Sequence, residues 1–278
     1  MKLVRYGQPG KEKPGLIDAH GKLRDLSKVI HDVTPDQLSN KALAKLAKIN
    51  TDKLPLVKGK PRMGCPISHI SKFVAIGLNY ADHAAESGMP IPKEPIVFLK
   101  ANSCIQGPDD DVMLPKGSVK TDWEVELGIV IGTEARYVSQ KNALDYVAGY
   151  CVVNDVSERE YQMDRGGTWD KGKGCDTFGP VGPWLVTADE VPDPQNLDIQ
   201  CLVNGQVMQH ANTHDMLFSV ARLIHYTSHY MTLEPGDLIA TGTPAGVGAF
   251  RQPPVWLRSG DRVEVKVQGL GDLVTHIV

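Results

Sequence analysis

Glu124 and Glu126 stand two apart in TDWEVELGIV, Thr121 to Val130, a run otherwise rich in Trp, Val, Leu and Ile. On a strand, residues i and i+2 face the same way, about 6–7 Å apart at a rise of about 3.3 Å per residue. Two carboxylates then point to one side, and Trp123, Val125 and Leu127 to the other. Neighbouring carboxylates in apolar surroundings repel each other and resist desolvation unless something positive lies between them. A hard divalent cation is the simplest such object. A solvent-facing acidic strand edge is the competing reading, and the pair alone does not separate the two.

Four further segments carry chemistry-bearing residues. Asp155 ends an apolar strand from Tyr146 to Asn154, and Ser157 with Glu160 has capping-box spacing, which predicts a helix starting at once. A carboxylate there is well placed for a site, although a turn aspartate serving local N–H groups is the simpler reading. Arg159 and Gln162 would share a face of that helix. Arg159 could fork a substrate carboxylate, or pair on the surface with Glu158 or Glu160. In NYADHAAESG, residues 79–88, His83 and Glu86 meet if Ala81 to Glu86 is helical. A carboxylate beside an imidazole fixes its tautomer and raises its basicity, as activating a water requires; a surface His–Glu pair is the alternative.

GGTWDKGKGCDTFGP, residues 166–180, is Gly-rich and carries Lys171 and Lys173. It could close over an anionic ligand or be a long flexible surface loop. It lacks the GK[ST] ending of a phosphate loop. ATGTPAGVG, residues 240–248, presents Thr241, Gly242 and Thr243 after a strand. It reads equally as a site or as a Pro-Gly turn, and no GxGxxG fingerprint occurs.

The elements that must position these residues are mostly strands. Lys2–Tyr6 and the stretch from Gly15 to Leu26 read as short strands. Thr34 and Pro35 then predict a helix with Leu38, Ala42, Leu46 and Ile49 on one face. DKLPLVKGKPRMGCPI has linker chemistry, so residues 1–66 form a small N-terminal α/β module and linker, and residues 67–278 the main domain. From Lys72 onward KFVAIG, IVFLK, EVELGIVIG, YVAGYCVVN, IQCLV, DLIATG and RVEVKV read as strands. Asn204–Gly205 is a two-residue hairpin signal. One long helix is expected from about His214 to Met231, capped by Thr213. Strands do not alternate with helices, which disfavours a doubly wound sheet and predicts an α+β, predominantly β fold with sheets curled on each other.

Composition sets the bounds. A chain of 278 residues with 41% hydrophobic and 23% charged residues can bury a core. A net charge of −3 gives no basic footprint for nucleic acid. No apolar run approaches the ~20 residues of a membrane span, and MKLVRYGQPG has no signal-peptide core. Cys65, Cys104, Cys151, Cys175 and Cys201 form no CxxC pair, which argues against structural zinc and for a reducing, cytoplasmic setting.

The order and spacing of NYADHAxE, FLK, ExELGxVIG, GYxxxNDVSxR, KG-[KS] and TGTPxGVG together resemble the fumarylacetoacetate hydrolase family, from about Phe73 to the C-terminus. MKLVRYG, GLID and RDLS resemble one subgroup, which acts on 2,4-diketo-3-deoxy derivatives of sugar acids such as L-fuconate and L-rhamnonate or is labelled ureidoglycolate lyase. The resemblance implies a fumarylacetoacetase-like mixed β-sandwich roll and a homodimer. It implies that Glu124, Glu126 and Asp155 hold a divalent cation, usually Mg²⁺, sometimes Mn²⁺ or Ca²⁺. It makes His83 and Glu86 the water-activating dyad. Arg159, Gln162, Lys173 and Thr243 fall around the keto acid end of the substrate, with Lys173 as a catalytic cation. In some larger members the histidine lies further along and an aspartate near Asp82 joins the metal, which leaves Asp82 open as a fourth ligand. The activity implied is hydrolysis of a C–C bond in a 2,4-diketo acid, giving pyruvate and a carboxylic acid. Ureidoglycolate cleavage and keto–enol isomerisation or decarboxylation are alternatives on the same scaffold, as is a non-catalytic metal-bound module that binds small acids.

Overall fold

The computed structural model describes residues 1–278. Thirteen strands carry the fold: β1 Lys2–Tyr6, β2 Lys13–Ile17, β3 Leu23–Asp25, β4 Phe73–Gly77, β5 Ile96–Lys100, β6 Val125–Ile131, β7 Val147–Asn154, β8 Gly179–Thr187, β9 Asp198–Val203, β10 Gln206–Asn212, β11 Leu238–Ala240, β12 Arg262–Val267 and β13 Gly271–His276. The main sheet runs β3–β2–β1–β8–β7–β6–β11–β4–β5. Its neighbours are antiparallel except for the parallel pair β11 and β4. A second sheet, β10–β9–β12–β13, packs against β6, β7 and β8. The expected mixed, predominantly β architecture of curled, stacked sheets is the one formed. Covering one sheet with another buries β6 and β7 along their whole lengths, so apart from Glu126 both read as largely apolar runs rather than clean alternations.

One core of 58 buried residues runs through the molecule, and it draws Leu3, Leu16 and Leu26 from the first strands as well as Val265 and Leu273 from the last. The N-terminal strands continue the main sheet, with Lys2 paired to Val186 and Leu3 to Leu185. The expected hairpin at Asn204–Gly205 joins β9 to β10, and both residues take positive φ, as a type I′ turn requires. No helix is long and apolar enough to cross a membrane.

Three expected helices are redrawn. Between Thr34 and Ile49 a 3-10 turn, Pro35–Gln37, precedes helix α1, Asn40–Leu46. Ser39 supplies the side-chain cap to Ala42 N–H, while Thr34 caps nothing. The single helix expected from His214 to Met231 is a turn at Thr213–Asp215 and a separate helix, Val220–Thr227. The break is made by Asn79, whose backbone carbonyl and side-chain oxygen accept the N–H groups of Leu217 and Phe218. Ser157 caps no helix. Ser157–Glu158 pairs instead with Thr121–Asp122, and a π-helical turn begins only at Glu160. A tertiary strand partner here outcompetes the local capping pattern.

Candidate active site

The site forms where β6, β7 and β11 end together. The β6–β7 ladder sets Val153 opposite Glu126 and Asn154 opposite Val125. Continued by the Asp155 N–H bond to the Glu124 carbonyl at 2.8 Å, it brings Asp155 beside the glutamate pair. Glu124, Glu126 and Asp155 each offer a carboxylate oxygen, all within 4.8 Å of one another. They are only 4%, 1% and 1% exposed, which removes the reading of a solvated acidic edge. Asp82 lies outside this group; it is exposed and accepts the N–H of His83.

Four buried carboxylates face three buried cations. Arg159 bonds Asp122 through Nε at 2.9 Å and lies 2.6 Å from Glu124 Oε1. Lys173 Nζ bridges Glu124 Oε2 at 2.5 Å and Asp155 Oδ2 at 2.8 Å. Lys100 Nζ pairs with the other Asp155 oxygen and donates to the Lys173 carbonyl. Glu126 has no cationic partner; its donor is the Gly242 backbone N–H at 2.7 Å. Gly242 has φ of +96°, and a Cβ there would come 2.7 Å from Asn79 Cβ, so the residue type is fixed by the turn that aims this N–H.

Protonation follows from this layout. Burial alone would raise the Glu124 carboxyl, but Lys173 and Arg159 hold it at about 2. Burial raises Glu126 well above its ordinary value, and repulsion from Asp155 and Glu124 adds to it. Burial works against the Arg159 charge, yet Glu124 and Asp122 hold its pKa above the usual guanidinium value. The one carboxylate left without a countercharge thus belongs to the oxygen triad. A hard divalent cation fits such a donor set and would supply the missing charge.

His83 lies on helix α2, Ala81–Glu86, and its Nδ1 meets Glu86 Oε1 at 2.7 Å. The other Glu86 oxygen accepts the Gly246 N–H at 2.9 Å. A carboxylate only accepts, so Nδ1 carries the proton and Nε2 is the free lone pair. One cavity is lined by His83, Glu124, Glu126, Arg159, Gln162, Lys173 and Thr243 together. Of the residues singled out by type and spacing, Glu86 and Asp155 support this lining without belonging to it. Lys171 does not take part: it is exposed and donates to the Arg165 carbonyl. The Gly-rich segment is not a free loop either. Asp170–Lys173 forms a helical turn, α3, and its last residue is buried at 3% exposure.

Gln162 and Thr243 are tied down. Gln162 Oε1 accepts from Arg159 at 2.9 Å; Thr243 Oγ1 donates to the Val125 carbonyl and accepts from Gln209. Sequence reasoning missed three supporting residues. Lys100 carried a signal, a lysine closing the apolar run IVFLK, whereas Asp122 and Gln209 became visible only through their partners.

A protein-family model described as fumarylacetoacetate (FAA) hydrolase C-terminal matches residues 72–278. A Burkholderia lata protein, provisionally named a hydrolase, is 60% identical over 277 residues, covering 99% of this chain and 98% of its own. Among solved structures, a fumarylacetoacetate hydrolase from Exiguobacterium antarcticum is 34% identical with a TM-score of 0.86, covering 100% of this chain and 99% of its own. Maleylpyruvate hydrolase from Sphingobium, solved with manganese(II) and pyruvate, is 30% identical with a TM-score of 0.82, at 100% and 99% coverage. A 5-carboxymethyl-2-hydroxymuconate delta-isomerase from Mycobacterium smegmatis is 34% identical with a TM-score of 0.77, at 100% and 98% coverage.

Proposed function

The chain belongs to the fumarylacetoacetate hydrolase family, and we propose that it is a metal-dependent hydrolase of 2,4-diketo acids of the acylpyruvate type, releasing pyruvate and a carboxylic acid. The observation that carries this reading is the His83–Glu86 pair opening onto the same cavity as Glu124 and Glu126. Binding a small acid needs no general base; splitting it with water does.

Glu124, Glu126 and Asp155 would hold the cation, which we take to be Mg²⁺, with Mn²⁺, the ion of the Sphingobium neighbour, as the substitute. When bound, it supplies Lewis-acid stabilisation to the keto acid end of the substrate. His83 Nε2 takes a proton from water while Glu86 steadies the imidazolium through Nδ1–H. The hydroxide adds to the distal carbonyl carbon. The bond from that carbon to the adjacent methylene then breaks, and its electron pair passes into the enolate of pyruvate, which is protonated on release. Lys173, already facing Glu124 and Asp155, adds a fixed positive charge near the developing enolate. Arg159 and Gln162, bonded to each other, form one rigid wall that orients the carboxylate.

The five free cysteines support a reducing, cytoplasmic setting, and a homodimer is the assembly we expect. Keto–enol isomerisation is the second reading, favoured by the activity named for the Mycobacterium smegmatis neighbour. The test is a side-by-side assay of an acylpyruvate, a 2,4-diketo-3-deoxy sugar acid and ureidoglycolate, with Mg²⁺ and with EDTA. Stoichiometric, metal-dependent pyruvate release supports the hydrolase. Tautomerisation without pyruvate supports the isomerase, and release of glyoxylate and urea the lyase.

A further inference from the structure

We propose that the substrate carries its only carboxylate at the keto acid end, and that its acyl group is uncharged and largely apolar. This rests on the hydrolase reading above and concerns the opposite end of the same cavity. The cavity wall also carries Met89, Phe98, Met163, Trp169 and Phe250. Phe250 lies 6.0 Å from the His83 ring, centroid to centroid, so an acyl group passing the base runs onto this surface. Phe98 and Trp169 meet edge to face at 5.5 Å, and the Lys173 ammonium stands 5.5 Å from the Phe98 ring, marking where the charged end gives way to the apolar one. The indole is seated deliberately: a Cβ on Gly77 would fall 2.2 Å from Trp169 Cζ3, so only glycine lets the ring lie against β4.

The cations decide the matter. Arg159 and Lys173 are the only arginine and lysine lining the cavity, and both stand at the carboxylate triad, which leaves the acyl side without a cation of its own. Arg251, next to Phe250, is not part of the lining, and its Nη2 donates to the carbonyls of Met208 and Gly246. The two hydroxyls of the lining are committed: Ser87 Oγ donates to the Ala84 carbonyl, and Thr243 Oγ1 both donates and accepts, while the Gln162 amide sits beside Arg159 at the keto acid end. A second carboxylate on the acyl side would lie against sulfur and aromatic carbon of a partly exposed wall that holds no countercharge. The substrates named for the maleylpyruvate and carboxymethyl-hydroxymuconate neighbours both have such a carboxylate, so this chain would differ from them in what it accepts.

The experiment uses the full-length protein with Mg²⁺ and two 2,4-diketo acids of equal length and shape, one ending in an isopropyl group and one in a carboxylate. Turnover is followed as pyruvate, and binding by calorimetry. The expected result is a preference for the neutral tail of at least about 100-fold in kcat/KM, with binding showing the same order. Met89→Arg, at the half-open rim, is expected to shrink that preference at least tenfold by offering the missing cation. Equal or better binding of the dicarboxylate by the unaltered protein would overturn the inference, whatever the turnover. Tighter binding of the neutral acid without any pyruvate release would instead uphold it and overturn the hydrolase reading.

Discussion

At the scale of single residues, the proposed mechanism separates holding from reacting. Glu126 and Asp155 are buried, and Glu126 has no cationic partner, so their replacement should strike the metal first. Glu126→Ala and Asp155→Ala are expected to lose measurable Mg²⁺ binding by calorimetry along with activity; unchanged affinity in both would remove the triad. His83 has no such duty. His83→Ala should keep its Mg²⁺ affinity yet lose about 10²–10⁴-fold in kcat, the usual worth of a general base. Turnover near that of the unaltered protein would reduce the dyad to a structural pair. The proposed triad Glu124, Glu126 and Asp155 and the proposed dyad His83 and Glu86 were legible in the sequence because such chemistry needs close spacing on one element or at its end. Lys100 and Asp122 were not, because their meaning lies in partners 55 and 37 positions away, namely Asp155 and Arg159. A countercharge identifies itself only in three dimensions.

At the scale of elements, strands were read more faithfully than helices, and the reason is visible at Asn79. The apolar runs of β4, β6 and β7 specify strands whatever they pair with. The stretch after Thr213 has helical periodicity, but Asn79 captures the backbone of Leu217 and Phe218 and divides it. The same side chain donates to the Phe218 and Thr241 carbonyls at 3.0 and 2.7 Å, so it ties helix α4, Val220–Thr227, to the end of β11 that presents Gly242 to Glu126. Asn79→Ala leaves several buried backbone groups unpaired and should cost on the order of 2–4 kcal/mol. Urea unfolding would measure it. Loss of less than about 0.5 kcal/mol would mean that the turn holds without its clamp. Ser157 teaches the same lesson: a capping box is a local preference, and the strand partner Thr121–Asp122 overrides it.

At the scale of the whole molecule, the question is whether residues 1–66 stand apart from the rest, as their linker-like ending suggests. The family match begins at residue 72. Physical continuity runs the other way. β1 pairs with β8, the strand that follows Lys173, and Met1 meets both Thr187 and Glu190. Arg62, in the linker itself, joins Glu12 at 2.9 Å and Asp110 at 2.5 Å, fastening the first strands to the main body. Leu3, Leu16 and Leu26 sit in the same core as β6 and β7. Exposing the β8 edge and this apolar face together would cost more than a peripheral module can be worth. The full chain is therefore expected to unfold in a single transition, with tryptophan fluorescence and far-ultraviolet dichroism coincident in urea. Residues 67–278 alone are expected to be poorly soluble, or to bind a hydrophobic dye as a loosened state. Two separated transitions, or a soluble, active fragment, would show that the N-terminal strands are an independent addition, and that the strand behind Lys173 needs no brace.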